Sequence, residues 1–384
     1  MNNKSEITNS IKNYAYELGF DLVGISPPDP YPDNQYYREW VEKGFAGEMN
    51  YLKQNISKRE DPNNVLSNIK SLITCAINYN TNRPYSIEVD KTKKGWVARY
   101  AWGEDYHNVL EPMLRKLKNY IETLLEEKIN TKAYVDTGPI LEKVFAKNSG
   151  IGWIGKNTCL INQKIGSWLF LGEILTDVEL EFDGKAADRC GTCTKCIDAC
   201  PTGAITEPYV LDSRNCISYL TIELKGKIPE SMREGIENNI FGCDICQDVC
   251  PWNRNAPISE LLDFQPRDKI YNPDLKNLLN LDGEDFRTLF KNSPIKRSKR
   301  KGFLRNVLVA AANSKESCFS FEISKLLNDE EPLVRAHAVW ALWKIEGSDC
   351  LNKLYDLYKT ETNEMVIEEL NKIFESKEIN DYER

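Results

Sequence analysis

Eight of the twelve cysteines in this 384-residue chain lie between Cys190 and Cys250, in two arrays that end alike. The first reads Cys190-x2-Cys193-x2-Cys196-x3-Cys200-Pro201, and the second reads Cys243-x2-Cys246-x3-Cys250-Pro251, with Cys216 between them. A 4Fe-4S cubane needs a thiolate at each iron corner. In two-cluster ferredoxins three come from one tight loop, and the fourth is the cysteine that precedes a proline in the other half. The spacing therefore predicts crossed ligation: Cys190, Cys193, Cys196 and Cys250 on one cluster, and Cys243, Cys246, Cys216 and Cys200 on the other. Cys216 replaces the missing first cysteine of the second loop. Structural zinc also uses paired C-x2-C spacings, but it does not require the third cysteine, the fourth at x3 and the proline, twice over. Disulfides are disfavoured where thiols are kept reduced. Cys75, Cys159, Cys318 and Cys350 sit in apolar surroundings and read as small buried hydrophobes.

Other residues have chemical potential of their own. Asp136 opens the run Asp136-Thr137-Gly138-Pro139 between a predicted strand, 131–135, and a predicted helix, 140–147. At that place an aspartate either caps the helix or, beside a bulky group that raises its pKa, serves as a general acid. The run from Gly150 to Thr158 sets three glycines around Trp153 and implies close backbone approach, although as a dinucleotide fingerprint it is weak. Arg99, Tyr100, Trp102, Tyr106 and His107 crowd another strand end, where loops leave a sheet and ligands bind. Arg59, in the polar run 58–62, either holds an anion or is a solvated surface arginine. The only histidines are His107 and His337, so histidine ligation of a metal has little support.

These residues need elements to position them. Apolar spacing predicts a helix over 5–18, a strand over 21–25, a helix over 35–43, strands over 71–79 and 96–101, a helix over 107–127 and final strands within 167–180. Together these read as an α/β domain. From about residue 257 the pattern is helical, and the stretches 302–312 and 329–345 resemble a HEAT-type solenoid, whose helix pairs stack on a shared face. The net charge of −8 argues against a generic nucleic-acid binder. Yet from Arg287 to Lys315 there are nine Lys or Arg and no acid. Such a run is either a solvated face or a grip on a phosphate backbone. No stretch has the length of a membrane span, and no export signal opens the chain, which points to the cytoplasm.

Asp136 to Pro139, the run Gly150 to Thr158, the eight-cysteine core through Cys243-Asp244-Ile245-Cys246-Gln247-Asp248-Val249-Cys250-Pro251-Trp252-Asn253 and the HEAT-like segment together resemble the epoxyqueuosine reductases, over almost the whole chain. That resemblance implies removal of the epoxide oxygen of epoxyqueuosine at the tRNA wobble position, the last step of queuosine biosynthesis, with cobalamin and two 4Fe-4S clusters. It implies an α+β chain of three parts: a cobalamin-binding α/β domain at 1–180, a ferredoxin-like two-cluster domain at 181–255 and a helical HEAT-like tRNA-binding domain at 256–384. Asp136 would be the proton donor, and Arg59, Arg99, Asp136, Asn157, Thr158, Ser218 and Asp244 would contact the cobalamin. Lys225, Lys227, Arg233, Lys296, Arg297, Lys299, Arg300, Lys301 and Arg305 would hold the tRNA by shape and phosphate contacts around a flipped-out base. The expected partners are that tRNA and an electron donor the sequence does not identify, with no membrane, for a monomer. A cytosolic reductive dehalogenase-like corrinoid enzyme and a non-catalytic ferredoxin-type electron-transfer adaptor are the alternatives.

Overall fold

The computed structural model describes residues 4–375. The chain divides into two compact units that interleave along the sequence. The first takes the described residues up to Arg83, then Gly103–Arg214 and Ile245–Gln265; the second takes Pro84–Trp102, Asn215–Asp244 and the described residues from Pro266 onward.

A four-stranded sheet organises the first unit, in the order Leu22–Ser26, Ser71–Asn78, Leu169–Thr176, Thr131–Tyr134. Every neighbouring pair is antiparallel, so the rule that ligands gather at the carboxyl ends of parallel strands has no purchase here. Ser71–Asn78 is buried at every position, because helices cover both faces. On one face lies Tyr106–Leu125, whose Leu110, Leu114, Leu117 and Ile121 form the buried stripe of an amphipathic helix. On the other, Phe145 of the helix Glu142–Asn148 packs with Leu72 and Leu175, and Ala146 packs with Ala76. That helix comes so close that a Cβ on Gly24 would sit 2.2 Å from the Ser149 carbonyl oxygen. Only glycine fits there.

Three local expectations are corrected. The predicted strand 96–101 survives only as Trp96–Val97, because Arg99–Ala101 turns into a 3-10 helix. The run 58–62 is not all turn: Ile56–Glu60 is helical, and the turn starts at Asp61, whose side chain accepts from the Asn63 amide. Within 167–180 there is one strand, Leu169–Thr176.

In the second unit the helix Lys299–Ser314 packs on Pro332–Glu346, which packs on Glu364–Phe374. Residues 302–312 are buried all round, as a core helix must be. This burial overturns two expected tRNA contacts. Arg305 is 1% exposed and donates to the carbonyl oxygens of Leu220, Leu224 and Gly226, at 2.7, 2.8 and 2.7 Å. It satisfies backbone acceptors that burial would otherwise strand. Arg233, also 1% exposed, makes a paired contact with buried Glu369, both N–O distances being 3.0 Å, and lies 5.0 Å from the Trp340 ring. Neither guanidinium is available to a phosphate.

A buried pair is sensitive to the loss of one partner, which leaves the other charge desolvated and alone. Arg233→Met should therefore cost about 3 to 5 kcal/mol, and Arg233→Met combined with Glu369→Leu should recover most of it. Equilibrium denaturant unfolding of the three variants measures both. A single-variant cost near zero would contradict the burial.

Candidate active site

Asp136 stands just beyond the strand Thr131–Tyr134 with φ +59°, the left-handed region that Asp and Asn tolerate best. Its side chain is exposed. The Tyr106 hydroxyl donates to Asp136 Oδ2 at 2.8 Å, and the Asp136 amide donates to Glu142 Oε1 at 2.8 Å. The following helix begins at Glu142, with Leu141 in the cap position. Asp136 therefore does not cap it, and the capping alternative lapses. Buried Arg59 donates to the Tyr37 hydroxyl at 3.1 Å and to the Tyr51 carbonyl at 3.3 Å, and reaches Gly138 O in the same turn at 3.5 Å.

Beneath this turn lies a second carboxyl that the sequence reading missed. Glu173 is 0% exposed, in the middle of a central strand, in register with Thr74 on one side and Tyr134 on the other. No donor reaches either of its oxygens. The group facing it is the carboxyl of Glu142, and two carboxyls can hydrogen-bond only through a shared proton. Burial and then the Glu142 charge push Glu173 well above the carboxylate range; burial and then the Asp136 charge push Glu142 up to about 7. The two titrate as a pair. The available signal was one acid inside the apolar run Leu169-Phe170-Leu171-Gly172-Glu173-Ile174-Leu175.

Cys190 and Cys196 of the first array act on Cys250. Burial raises the Cys250 thiol to about 11, and the charges of Cys190 and Cys196 add to it. Cys196 is raised by burial and by Cys190 and Cys193. Cys190, Cys193, Cys196 and Cys250 thus form one group: Cys196 lies in the helix Lys195–Asp198, and Cys250 follows the helix Ile245–Asp248 that packs on it. Cys200 and Cys246 also belong to the first unit, and Cys216 and Cys243 to the second. None of the twelve cysteines is joined in a disulfide. Among the described residues no three His, Cys, Asp or Glu converge as a single-ion site; a cubane takes its thiolates around a bulky core instead. The donor set fits such a cluster.

The glycine-rich run holds these cysteine turns. Lys156 Nζ donates to the carbonyls of Gly191 and Cys193, at 2.7 and 3.0 Å, and buried Asn157 donates to that of Cys246 at 3.2 Å. Thr158, at φ +63°, accepts from Lys143 through its carbonyl. Lys156 is thus a further residue that the sequence reading passed over.

In the second unit buried Asp244 accepts from Trp96 Nε1 at 3.0 Å and from the Arg99 amide at 2.7 Å. Burial lifts its carboxyl to about 6 against the opposing pull of those donors and the Arg99 charge. The Arg99 guanidinium lies 4.7 Å from the Trp102 ring and 5.2 Å from that of Tyr85. Ser218 is half-buried just before the turn Tyr219–Glu223.

The basic stretch is not bare. Arg297 pairs with Glu223 at 3.2 Å, Arg300 with Asp329 at 2.6 Å and Lys301 with Glu331 at 3.2 Å. Lys227 pairs with Glu368 at 2.5 Å, and Lys225 donates to Ile222 O. The acids missing from 287–315 come from elsewhere in the sequence. Lys296 and Lys299 are exposed. His107 bonds Asp105 through Nδ1 at 2.7 Å; fully buried His337 contacts Leu333 O with Nδ1 and accepts from the Ile228 amide. Both histidines have structural partners.

The carboxyl pair sets a sign for pH dependence. Its folded-state pKa values are raised, so between about pH 4.5 and 7 the folded chain keeps a proton that the unfolded chain releases. Stability should then fall by a few kcal/mol across that window as pH rises. Glu173→Gln should flatten the fall. Unfolding free energies at pH 5, 6 and 7 check this, and parallel slopes for the two proteins would contradict it.

A family model described as "Epoxyqueuosine reductase QueG, DUF1730" matches residues 59–137, and one described as "4Fe-4S double cluster binding domain" matches residues 189–253. The epoxyqueuosine reductase of Salmonella typhimurium is 38% identical over 339 residues, 88% of each chain. That of Leadbetterella byssophila is 42% identical over 306 residues, 79% of this chain and 97% of its own. A solved epoxyqueuosine reductase with a tRNA-Tyr epoxyqueuosine-modified stem loop matches with a TM-score of 0.90 at 31% identity, over 97% of this chain and 99% of that one. A Bacillus subtilis epoxyqueuosine reductase, solved with its catalytic aspartate loop swung out of the active site, gives 0.89 at 31% identity over the same shares. By sequence and by structure alike, the chain belongs to the epoxyqueuosine reductase family.

Proposed function

We propose that this chain is an oxidoreductase that reduces epoxyqueuosine to queuosine at the wobble position of tRNA, the last step of queuosine biosynthesis. The observation that carries the reading is Asp136: an exposed carboxyl, held by Tyr106, in the unit that also gathers four cluster thiols. A relative solved with an epoxyqueuosine-modified tRNA stem loop supports the substrate. The chain carries a double 4Fe-4S domain. By the crossed pattern of the two arrays, Cys190, Cys193, Cys196 and Cys250 hold one cluster, and Cys200, Cys216, Cys243 and Cys246 hold the other. Arg59, Arg99, Asn157, Thr158, Ser218 and Asp244 hold the cobalamin. When bound, the clusters and the corrin supply low-potential electrons to the epoxide carbon.

The protein's own part is the proton. Losing the epoxide oxygen as water breaks two C–O bonds, takes up two electrons and two protons and leaves an alkene; an alkoxide leaves poorly, so the oxygen must be protonated as it departs. The Tyr106 hydroxyl donates to Asp136 Oδ2 and so steadies the carboxyl that carries that proton. The turn 135–139 is proposed to open and close, in keeping with the Bacillus subtilis relative whose catalytic loop is swung out of the active site. Residues 256–384 form the HEAT-like tRNA-binding part, 1–180 the cobalamin part and 181–255 the cluster part. The exposed Lys296 and Lys299 are its foremost phosphate contacts, since Arg297, Arg300 and Lys301 carry acid partners. It works as a cytoplasmic monomer fed by a separate electron donor.

Anaerobic reduction of epoxyqueuosine-containing tRNA, by protein reconstituted with iron, sulfide and cobalamin, tests the function. Absence of queuosine would refute it. In the same assay Asp136→Asn should fold normally, because Asn also suits a left-handed φ. Turnover should fall by roughly two to four orders of magnitude. Near-normal turnover would remove Asp136 as the donor. For the clusters, Cys250→Ala should damage the one held by Cys190, Cys193 and Cys196 and largely spare the other. Iron counting and electron paramagnetic resonance, beside Cys200→Ala, distinguish this from ligation within each loop.

A further inference from the structure

Glu142 and Glu173 have no part in the chemistry proposed above, yet they lie directly under Asp136. Glu142 is half-buried and Glu173 fully buried, and an acid enclosed without a donor is costly unless it does something there. Glu173 sits between Leu171 and Leu175 in the strand, on the sheet face that the helix Glu142–Asn148 covers. No lysine or arginine reaches its oxygens, and no hydroxyl or amide donates to them. Glu142, at the first turn of that helix, accepts the Asp136 amide at 2.8 Å. The contact crosses from the helix to the turn carrying the reactive carboxyl, whose backbone sits at φ +59°. A left-handed residue in a surface turn needs something to hold it.

We propose that Glu142 is a positioning residue for Asp136: its carboxyl latches the turn 135–139 through the Asp136 amide, and a proton shared with Glu173 keeps that latch in place. With one proton between them, Glu173 donates to Glu142, and Glu142 accepts both that proton and the Asp136 N–H. Without it, two carboxylates face each other in a slot that supplies no donor. Like charges at such a distance repel strongly in low dielectric, and Glu142 can move only outward, taking its acceptor from the turn. The latch is thus closed while the pair holds its proton and opens as pH rises beyond that point.

The charged and titratable groups around the pair are few. Asp136 acts on both members, and Lys143 acts on Glu142 from the same helix. Tyr134 flanks Glu173 across the ladder. Cys75, on the strand Ser71–Asn78, feels the Glu173 charge, and burial keeps its thiol protonated. Tyr106 reaches the site through Asp136. Lys143 is the one cation of the set, and its Nζ is bonded to the Thr158 carbonyl.

The latch itself does not depend on the catalytic reading; its effect on turnover does. Amide hydrogen exchange at residues 135–138, corrected for intrinsic rate, reads the latch without any reaction. Glu142→Ala should accelerate exchange of the Asp136 amide about tenfold, the worth of one hydrogen bond, while Glu142→Gln keeps an acceptor and the protection. In the native protein the protection should fall on the alkaline side. Glu173→Gln, which donates to Glu142 at any pH, should abolish that alkaline fall. In the tRNA assay the same contrast should appear as an alkaline limb of kcat, present in the native enzyme and lost in Glu173→Gln, with KM for tRNA unmoved. Unchanged exchange in Glu142→Ala would overturn the latch. An alkaline fall that persists in Glu173→Gln would overturn the shared proton. Should Glu142→Ala fail to fold, the comparison of native protein with Glu173→Gln decides alone. Altered exchange with no change in kcat would leave the latch standing and count against Asp136 as donor.

Discussion

A cluster that takes three thiolates from one segment and the fourth from another makes the chain's return its governing constraint. Cys250 must be brought to Cys190 and Cys196 and held there. The structure does this with buried polar contacts. Asn253, fully buried, donates to Ser167 Oγ and Gln247 O at 2.8 Å each, and accepts from the Ser167 amide at 2.7 Å. Ser167 Oγ in turn donates to Gln247 Oε1 at 3.1 Å. Each contact is directional, so together they admit one arrangement of the Cys250-Pro251 end against the sheet unit. Gly166 lies beside them, where a Cβ would stand 2.3 Å from Asn253 Oδ1. Lys156 and Asn157 fasten the cysteine turns themselves. The glycine-rich run and the final Pro-Trp-Asn of the second array therefore serve the same end.

What the sequence made legible was whatever is local. Cysteine spacing is read over a few residues, and so is the apolar stripe of Tyr106–Leu125. Asp136 was picked out by its place after a strand. Its partners were not, because Tyr106, Glu142 and Glu173 converge only through sheet register and helix packing. The strand expected over 96–101 stopped early for a similar reason. The Arg99 amide, which a ladder would have used, is taken by Asp244 from a distant segment. The basic run misled in the opposite direction. Counted along the chain it holds no acid, but in space Glu223, Asp329 and Glu331 answer three of its cations, while Arg305 is enclosed by carbonyls. Charge along a sequence is a poor guide to charge on a surface wherever helices stack.

Two of the buried acids, Asp244 and Glu173, show how surroundings assign a role. Asp244 is met by two N–H donors and the Arg99 charge, so burial is offset, and the residue ties Trp96 and Arg99 into one packed group. Removing it would strand those donors. Glu173 is equally enclosed and has no donor at all. A protein that needed only to fill that slot would do better with a leucine, flanked as it is by Leu171 and Leu175. What a carboxyl adds there is a proton that can be held or released, next to another carboxyl that touches the reactive turn. The Tyr106 phenol holds the side chain of exposed Asp136; with Glu142 behind its amide and Glu173 behind Glu142, its backbone is braced from the sheet outward. The stability given up in the strand is what fixes the geometry of the turn, the exchange expected where a reactive group must stand in solvent and yet not wander.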